Sequence, residues 1–115
     1  MPTPSSRETF DRSQQKLLDQ VLILGSMAEQ AVQSSVEALR RRDLNAAQQI
    51  YAGDIHINEK RYAIETDTII LIATQQPMAR DVRFLAAILE IITELERIGD
   101  YAKGIARITQ YIGDS

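Results

Sequence analysis

The sequence predicts an all-α protein, an antiparallel up-down-up bundle of three long helices. Apolar residues recur at steps of three and four along almost the whole 115-residue chain. The pattern breaks only at Asp43 and at Pro77. Each break has room for no more than a tight turn, so successive helices must run antiparallel. A hydrophobic content of 44% and a charged content of 25% are ordinary for a folded globular chain of one-domain size. The organisation expected is a disordered tail over residues 1–5 and a single three-helix domain over residues 6–115.

The first helix is expected at about 6–42. Ser5 and Glu8 have the spacing of a capping box, in which each side chain satisfies a backbone N–H left open by the first turn. Phe10, Leu17, Val21, Leu24, Ala28, Ala31 and Leu39 then line up as one apolar stripe. The run Arg40, Arg41 and Arg42 falls at its C-terminus, where cations complement the helix dipole. Asp43 is a good N-cap, so the second helix is expected at 44–74 with Ala47, Ile50, Ile57, Ile64 and Leu71 as its seam. The β-branched run Thr68 to Ile72 has strand propensity, but it stands inside helical periodicity, which decides in favour of helix. Pro77 suits the first position of a third helix at 77–112 and pushes Gln76 toward extended backbone. Phe84, Ile88, Ile91, Leu95, Ile98, Ala102 and Ile105 make its main stripe, flanked by Leu85, Leu89 and Ile92, and Gly113 is the expected stop. At about 1.5 Å per residue the three rods have matched lengths of roughly 45–55 Å.

Several classes of function are excluded by what the chain carries. The net charge of −3 gives no overall basic field for nucleic acid or anionic lipid. There are no cysteines, hence no disulfides, thiolate metal sites or thiol nucleophiles, and His56 is the single histidine. It lies beside the seam of the second helix and reads as a solvated surface residue. No glycine-rich phosphate loop or Glu-x-x-His spacing occurs, so the chain is expected to be no enzyme and to act by binding. Apolar stretches such as Ile69 to Ala73 are far shorter than the ~20 residues of a membrane span, and Met1 to Glu8 is unlike a signal peptide. A cytoplasmic, non-integral protein is expected.

One geometric feature stands out. Asp54 lies 23 positions before Pro77 and Asp100 lies 23 after it, while Asn58 and Glu96 lie 19 before and 19 after. In an antiparallel hairpin turning at Pro77 these residues share a level, and the i, i+4 spacing within each helix puts each pair on one face. Converging oxygens suit a hard or borderline cation. Without one, two carboxylates about 6 Å apart near a surface repel by on the order of 0.7–3 kcal/mol. The plain alternative is an acidic, solvated helix flank screened by Arg97 and Lys103. Gly53, Gly99 and Gly104, each costly in a helix interior, suggest that backbone or ligand comes close at this level.

The string Gln75-Gln76-Pro77-Met78-Ala79-Arg80-Asp81-Val82-Arg83, followed by Leu95-Glu96-Arg97-Ile98-Gly99-Asp100 and by Ala102, Ile105 and Ala106, resembles the PhoU family of phosphate-uptake regulators. Met27, Ala28, Ala38, Leu39 and Asp43 resemble its first helix, and Asp54 to Glu59 its acidic second-helix segment. The resemblance implies a three-helix domain that helps repress the phosphate-starvation response, as an adaptor between a phosphate transporter ATPase subunit and a sensor histidine kinase. It also implies a metal, iron, zinc, manganese or magnesium, held by Glu96, Asp100 and Asp54, with Asn58 as a weaker ligand where relatives have a carboxylate. Relatives commonly carry two such domains in tandem, so a homodimer or higher oligomer is expected to cover the flank left bare. The competing expectation is a structural or oligomerisation module, an accessory domain of a transporter or channel regulator, that binds no metal.

Overall fold

A computed structural model describes residues 5–113, with side chains from Arg7 onward. Three helices account for nearly all of it, namely α1 (Ser5–Arg41), α2 (Leu44–Gln75) and α3 (Ala79–Ile112). Each packs against both of the others, and no strand occurs among the described residues. Of the tail expected over residues 1–5, residues 1–4 lie outside the described residues, as does the Ser5 side-chain cap, while the Ser5 backbone already opens α1 and Glu8 stands in its first turn.

The first turn is a hydrogen-bonded helix stop. The Asp43 N–H donates to the Ala38 carbonyl at 2.9 Å and the Arg42 N–H to that of Leu39 at 3.2 Å, with Arg42 left-handed at φ 54°. That pattern satisfies carbonyls that the last turn leaves open and ends α1 at Arg41, one residue short of expectation. Arg40 and Arg41 both fold back onto Glu37, each at 2.6 Å. Asp43 caps α2 as expected, its carboxylate accepting the Ala46 N–H at 3.0 Å.

The second turn differs from the sequence reading. α2 runs on to Gln75, Gln76 is left-handed at φ 46° rather than extended, and α3 begins at Ala79 rather than Pro77. The cause is Asp81. Its buried carboxylate accepts the Met78 N–H at 3.1 Å, which makes Met78 the N-cap and leaves Pro77 outside the helix. The same carboxylate is gripped from α1 by the Arg7 guanidinium through two bonds of 2.7 and 3.0 Å. Arg7 also bonds Asp11 at 3.1 Å and lies over the Phe10 ring. One side chain therefore closes the α2–α3 turn and ties it to the start of α1.

The core falls into two parts. A large cluster of Phe10, Leu17, Val21, Leu24, Ile57, Ile64, Leu71, Leu85, Ile88 and Ile92 fills the end nearer the α2–α3 turn. A thinner one of Ala38, Ala47 and Ala106 fills the other end. Thr68 and Thr109 enter this core by donating to carbonyls one turn back, Ile64 at 2.7 Å and Ile105 at 3.0 Å. The helical reading of Thr68 to Ile72 holds. On α3 the buried line includes Leu85 and Ile92, first read as flank, together with Ile88 and Ala102 of the expected main stripe and with Gly99 and Ala106, whereas Ile91 and Ile98 of that stripe are 44% and 37% exposed. Two neighbouring helices draw the buried line to the bisector between them, which leaves one expected row on the α1-side rim. Gly113 does stop α3, but at a right-handed φ of −62°; glycine is needed because Leu44 and the Thr109 carbonyl leave no space for a side chain.

The Arg7 guanidinium holds the Asp81 carboxyl below the ordinary aspartate value, against the opposing effect of burial. Because the folded value lies below the unfolded one, this bond contributes in full above the unfolded value and is lost as pH falls through the folded one. Asp81→Asn is expected to lower Tm at pH 7 and to flatten its decline on acidification below pH 4. An acid limb equally steep in the variant would contradict the assignment.

Candidate functional site

Gly99 marks a level of close approach between α2 and α3. A methyl group placed on it would stand 3.2 Å from both Ile57 Cδ1 and Cγ2 and 3.5 Å from Asp54 Oδ1. The missing side chain lets Ile57 lie against the α3 backbone and carries its neighbour on the same helix face, Asp54, into the bundle, where the residue is only 4% exposed. By contrast, Gly53 and Gly104 have nothing within 4 Å of a would-be methyl, so of the three glycines expected to mark close approach only Gly99 does so.

The four oxygen-bearing residues singled out from the sequence fare differently. Asp54 and Asn58 meet directly, the Asn58 amide donating to Asp54 Oδ2 at 3.2 Å. Lys103 Nζ stands 3.7 Å from the same oxygen. Glu96 is at the expected height but turns to Arg61, whose Nε donates to its Oε2 at 3.0 Å while Nη1 reaches Glu65 at 2.9 Å. Asp100 is exposed at the rim. Among the described residues no group of three or more acidic or histidine side chains is gathered closely enough to hold a metal ion. The i, i+4 rule gave the face and the turn gave the height; Asp54 and Glu96 then found separate partners, an amide with a lysine for one and an arginine for the other.

Sequence reasoning missed Arg61 as the partner of Glu96. The signal was available, since Arg61 follows Asn58 by three residues and precedes Glu65 by four, placing a cation among the acids of that face. It also missed Tyr51, one turn before Asp54. Lys103 lies 4.8 Å and Arg107 5.9 Å from the Tyr51 ring centre, and the Arg107 guanidinium donates to its hydroxyl at 3.4 Å. That hydrogen bond, with the two positive charges, lowers the phenol's pKa. Of the two expected screening cations Lys103 acts on Asp54, while Arg97 pairs with Glu94 at 3.7 Å in solvent. His56 is solvated as expected, 3.5 Å from Glu59.

Asp54 has a second side. A cleft of about 330 Å³ opens beside it, with Met27, Ala31, Gln30 and Ser34 from α1, Ile50, Gly53, His56 and Ile57 from α2, and Gly99, Ala102 and Lys103 from α3. It occupies the gap between the two core clusters, where small residues leave the bundle thin. Asp54 Oδ1 is buried there and has no hydrogen-bond donor among the described residues.

The family model described as the PhoU domain matches residues 21–109, from the middle of α1 to the last turn of α3. The chain belongs to the PhoU family. It is 39% identical over 103 residues to the phosphate-specific transport system accessory protein PhoU homolog of Clostridium acetobutylicum, covering 89% of this chain and 47% of that protein. With the phosphate-specific transport system accessory protein PhoU of Escherichia coli it shares 35% identity over 98 residues, 85% of this chain and 41% of the relative. The Caulobacter vibrioides homolog is 41% identical over 91 residues, 79% and 40% of the two chains. The chain thus spans less than half the length of these curated relatives. The two PhoU-like strings have distinct structural duties here. Gln75 to Arg83 builds the α2–α3 turn through Asp81, and Leu95 to Asp100 supplies the close approach through Gly99.

The contrast between glycines is testable. Gly104→Ala, with open space around the added methyl, is expected to raise stability by about 1 kcal/mol through helix propensity. Gly99→Val is expected to lower it by about 1–3 kcal/mol through overpacking against Ile57. Urea unfolding of both variants reads the two signs, and a gain in stability for Gly99→Val would contradict the close approach.

Proposed function

We propose that this chain is a regulatory accessory protein of a phosphate-specific transport system, working by binding rather than by catalysis. The observation that carries the reading is the family match extending through all three helices, with relatives bearing that name at 35–41% identity. In this reading the rod is a cytoplasmic adaptor that engages a phosphate transporter ATPase subunit and a sensor histidine kinase and so holds down the phosphate-starvation response. No described helix is long and apolar enough to cross a membrane, which agrees with a partner docked onto a transporter.

Self-association is part of the proposal. Leu22 and Val36 of α1 and Ile91, Ile98 and Ile108 of α3 are exposed. A groove between these helices, floored by Gly25, Ala28 and Leu95, runs among them. A homodimer burying this strip is supported by the tendency of large exposed apolar patches to be interfaces. Light scattering at micromolar concentration is expected to give twice the chain mass, and a monomer would remove this part.

A bound metal, whether iron, zinc, manganese or magnesium, is proposed at Asp54, Asn58, Glu96 and Asp100 on the shared level of α2 and α3. As they stand these side chains do not form a coordination set, because Arg61 holds Glu96 and Lys103 stands against Asp54. Those two cations favour the second reading, an adaptor or oligomerisation module whose acidic flank is neutralised from within and needs no metal. Elemental analysis separates the two. The first expects stoichiometric metal that falls in Glu96→Ala/Asp100→Ala with the fold intact; the second expects none. In both, affinity capture from phosphate-replete cells is expected to retrieve the transporter ATPase subunit, and its absence would contradict the proposed function.

A further inference from the structure

Arg61 joins α2 to α3 at the level where the sequence pointed to a metal. Its Nε donates to Glu96 Oε2 on α3 at 3.0 Å, and its Nη1 donates to Glu65 Oε2, one turn further along α2, at 2.9 Å. The three side chains are 24%, 25% and 36% exposed, so the pairing is partly shielded from water. It raises the pKa of Arg61, the hydrogen bond to Glu96 being the largest cause. The guanidinium is therefore a permanent positive charge at this level.

A cation between two helices that face each other with carboxylates has two tasks. It cancels their mutual repulsion, and it ties one helix to the other. A bridging divalent ion does both, and so does this guanidinium, which holds one carboxylate from each helix. Asp54 is served separately, by the Asn58 amide at 3.2 Å and by the Lys103 ammonium at 3.7 Å. A metal ion drawing on Glu96 and Asp54 would have to displace an arginine from one and a lysine from the other. It would also have to sit beside a charge of its own sign, and that charge cannot be removed by deprotonation.

We propose that Arg61 is the resident cation of this level, standing where a metal ion would bridge α2 and α3 and keeping one out. The proposal rests on the second reading above, in which no metal is bound, and adds a single-residue cause for it. The cause is reversible. A carboxylate at position 61 would replace the cation and join Glu65 and Glu96 in a group of three, with Asp100 one turn beyond Glu96 on α3. Such an oxygen-only set repels itself until a hard divalent ion enters, and manganese suits carboxylate ligands.

The test compares the purified wild type with Arg61→Gln and Arg61→Glu, each first stripped with EDTA and then given excess MnCl2. Bound manganese is counted by electron paramagnetic resonance, and Tm is read by circular dichroism. The wild type is expected to bind no stoichiometric manganese and to keep its Tm. Arg61→Gln should melt a few degrees lower in EDTA, because the α2–α3 bridge is lost. Arg61→Glu should melt lower still in EDTA and recover with MnCl2 as the ion binds, a recovery lost again when Glu96→Gln is added. Should Arg61→Glu be unfolded in EDTA, refolding on addition of MnCl2 gives the same answer. Stoichiometric manganese on the wild type would remove the metal-free reading itself. A metal-free wild type would leave that reading standing, and the role of Arg61 alone would then be overturned if Arg61→Gln melted as the wild type does, or if Arg61→Glu gained no response to manganese or kept it with Glu96→Gln.

Discussion

The close approach of α2 and α3 at Gly99 is the constraint on which the rest of the molecule depends. Where Ile57 lies against the Gly99 backbone, no side chain from α3 intervenes, and Asp54 is carried into the bundle with it. Burial of a carboxylate is tolerated because its Oδ2 meets an amide from the next turn of the same helix and a lysine from across the seam. Remove the approach and Asp54 returns to the surface, the cleft closes or opens fully to water, and the level shared by Glu96 and Arg61 loses its reference.

The turn at the other end supplies the register. Asp81 fixes where α3 begins and Arg7 fixes where α1 lies relative to that start, so three helices without a disulfide are aligned by one bidentate ion pair and two capped turns. A rod built this way has a strong end and a weak one. Phe10, Leu24, Ile64 and Ile88 fill the first; alanines fill the second, and the cleft marks the transition. If ligands or partners act on this protein by altering its stiffness, the alanine-built end and the level of Asp54 are where local opening needs the fewest contacts broken.

Much of the fold was legible because helical periodicity and short breaks leave few alternatives. Asp43 as a cap, the seam of α2, and the hairpin level of Asp54, Asn58, Glu96 and Asp100 all follow from spacing alone. Three things did not. The start of α3 was displaced because Pro77 satisfies the rule for a first helical residue, while the decisive bond, from the Met78 N–H to a buried Asp81, depends on an arginine 74 residues away. The buried arc of α3 was misjudged at Ile91 and Ile98, though not at Ile88 and Ala102, because a helix with two neighbours has a broad apolar arc, and periodicity does not say where in the arc the bisector lies. The partners of the acidic residues were missed because side-chain direction, unlike height, is settled by competition. Glu96 took the charged Nε–H of Arg61, a stronger donor than a neutral amide, while the Asn58 amide went to Asp54.

Three features of this PhoU-family domain stand near one level of the bundle, the exposed apolar strip of α1 and α3, the charged face of α2 and α3, and the half-satisfied carboxylate of Asp54. All three are registered by the same contact. Nuclear Overhauser spectroscopy on methyl-labelled protein tests that contact most directly. Strong cross-peaks from the Gly99 α-protons to both the δ1 and γ2 methyls of Ile57 are the result expected. Their absence, with Gly99 instead reporting on an isoleucine one turn away such as Ile50 or Ile64, would contradict the account.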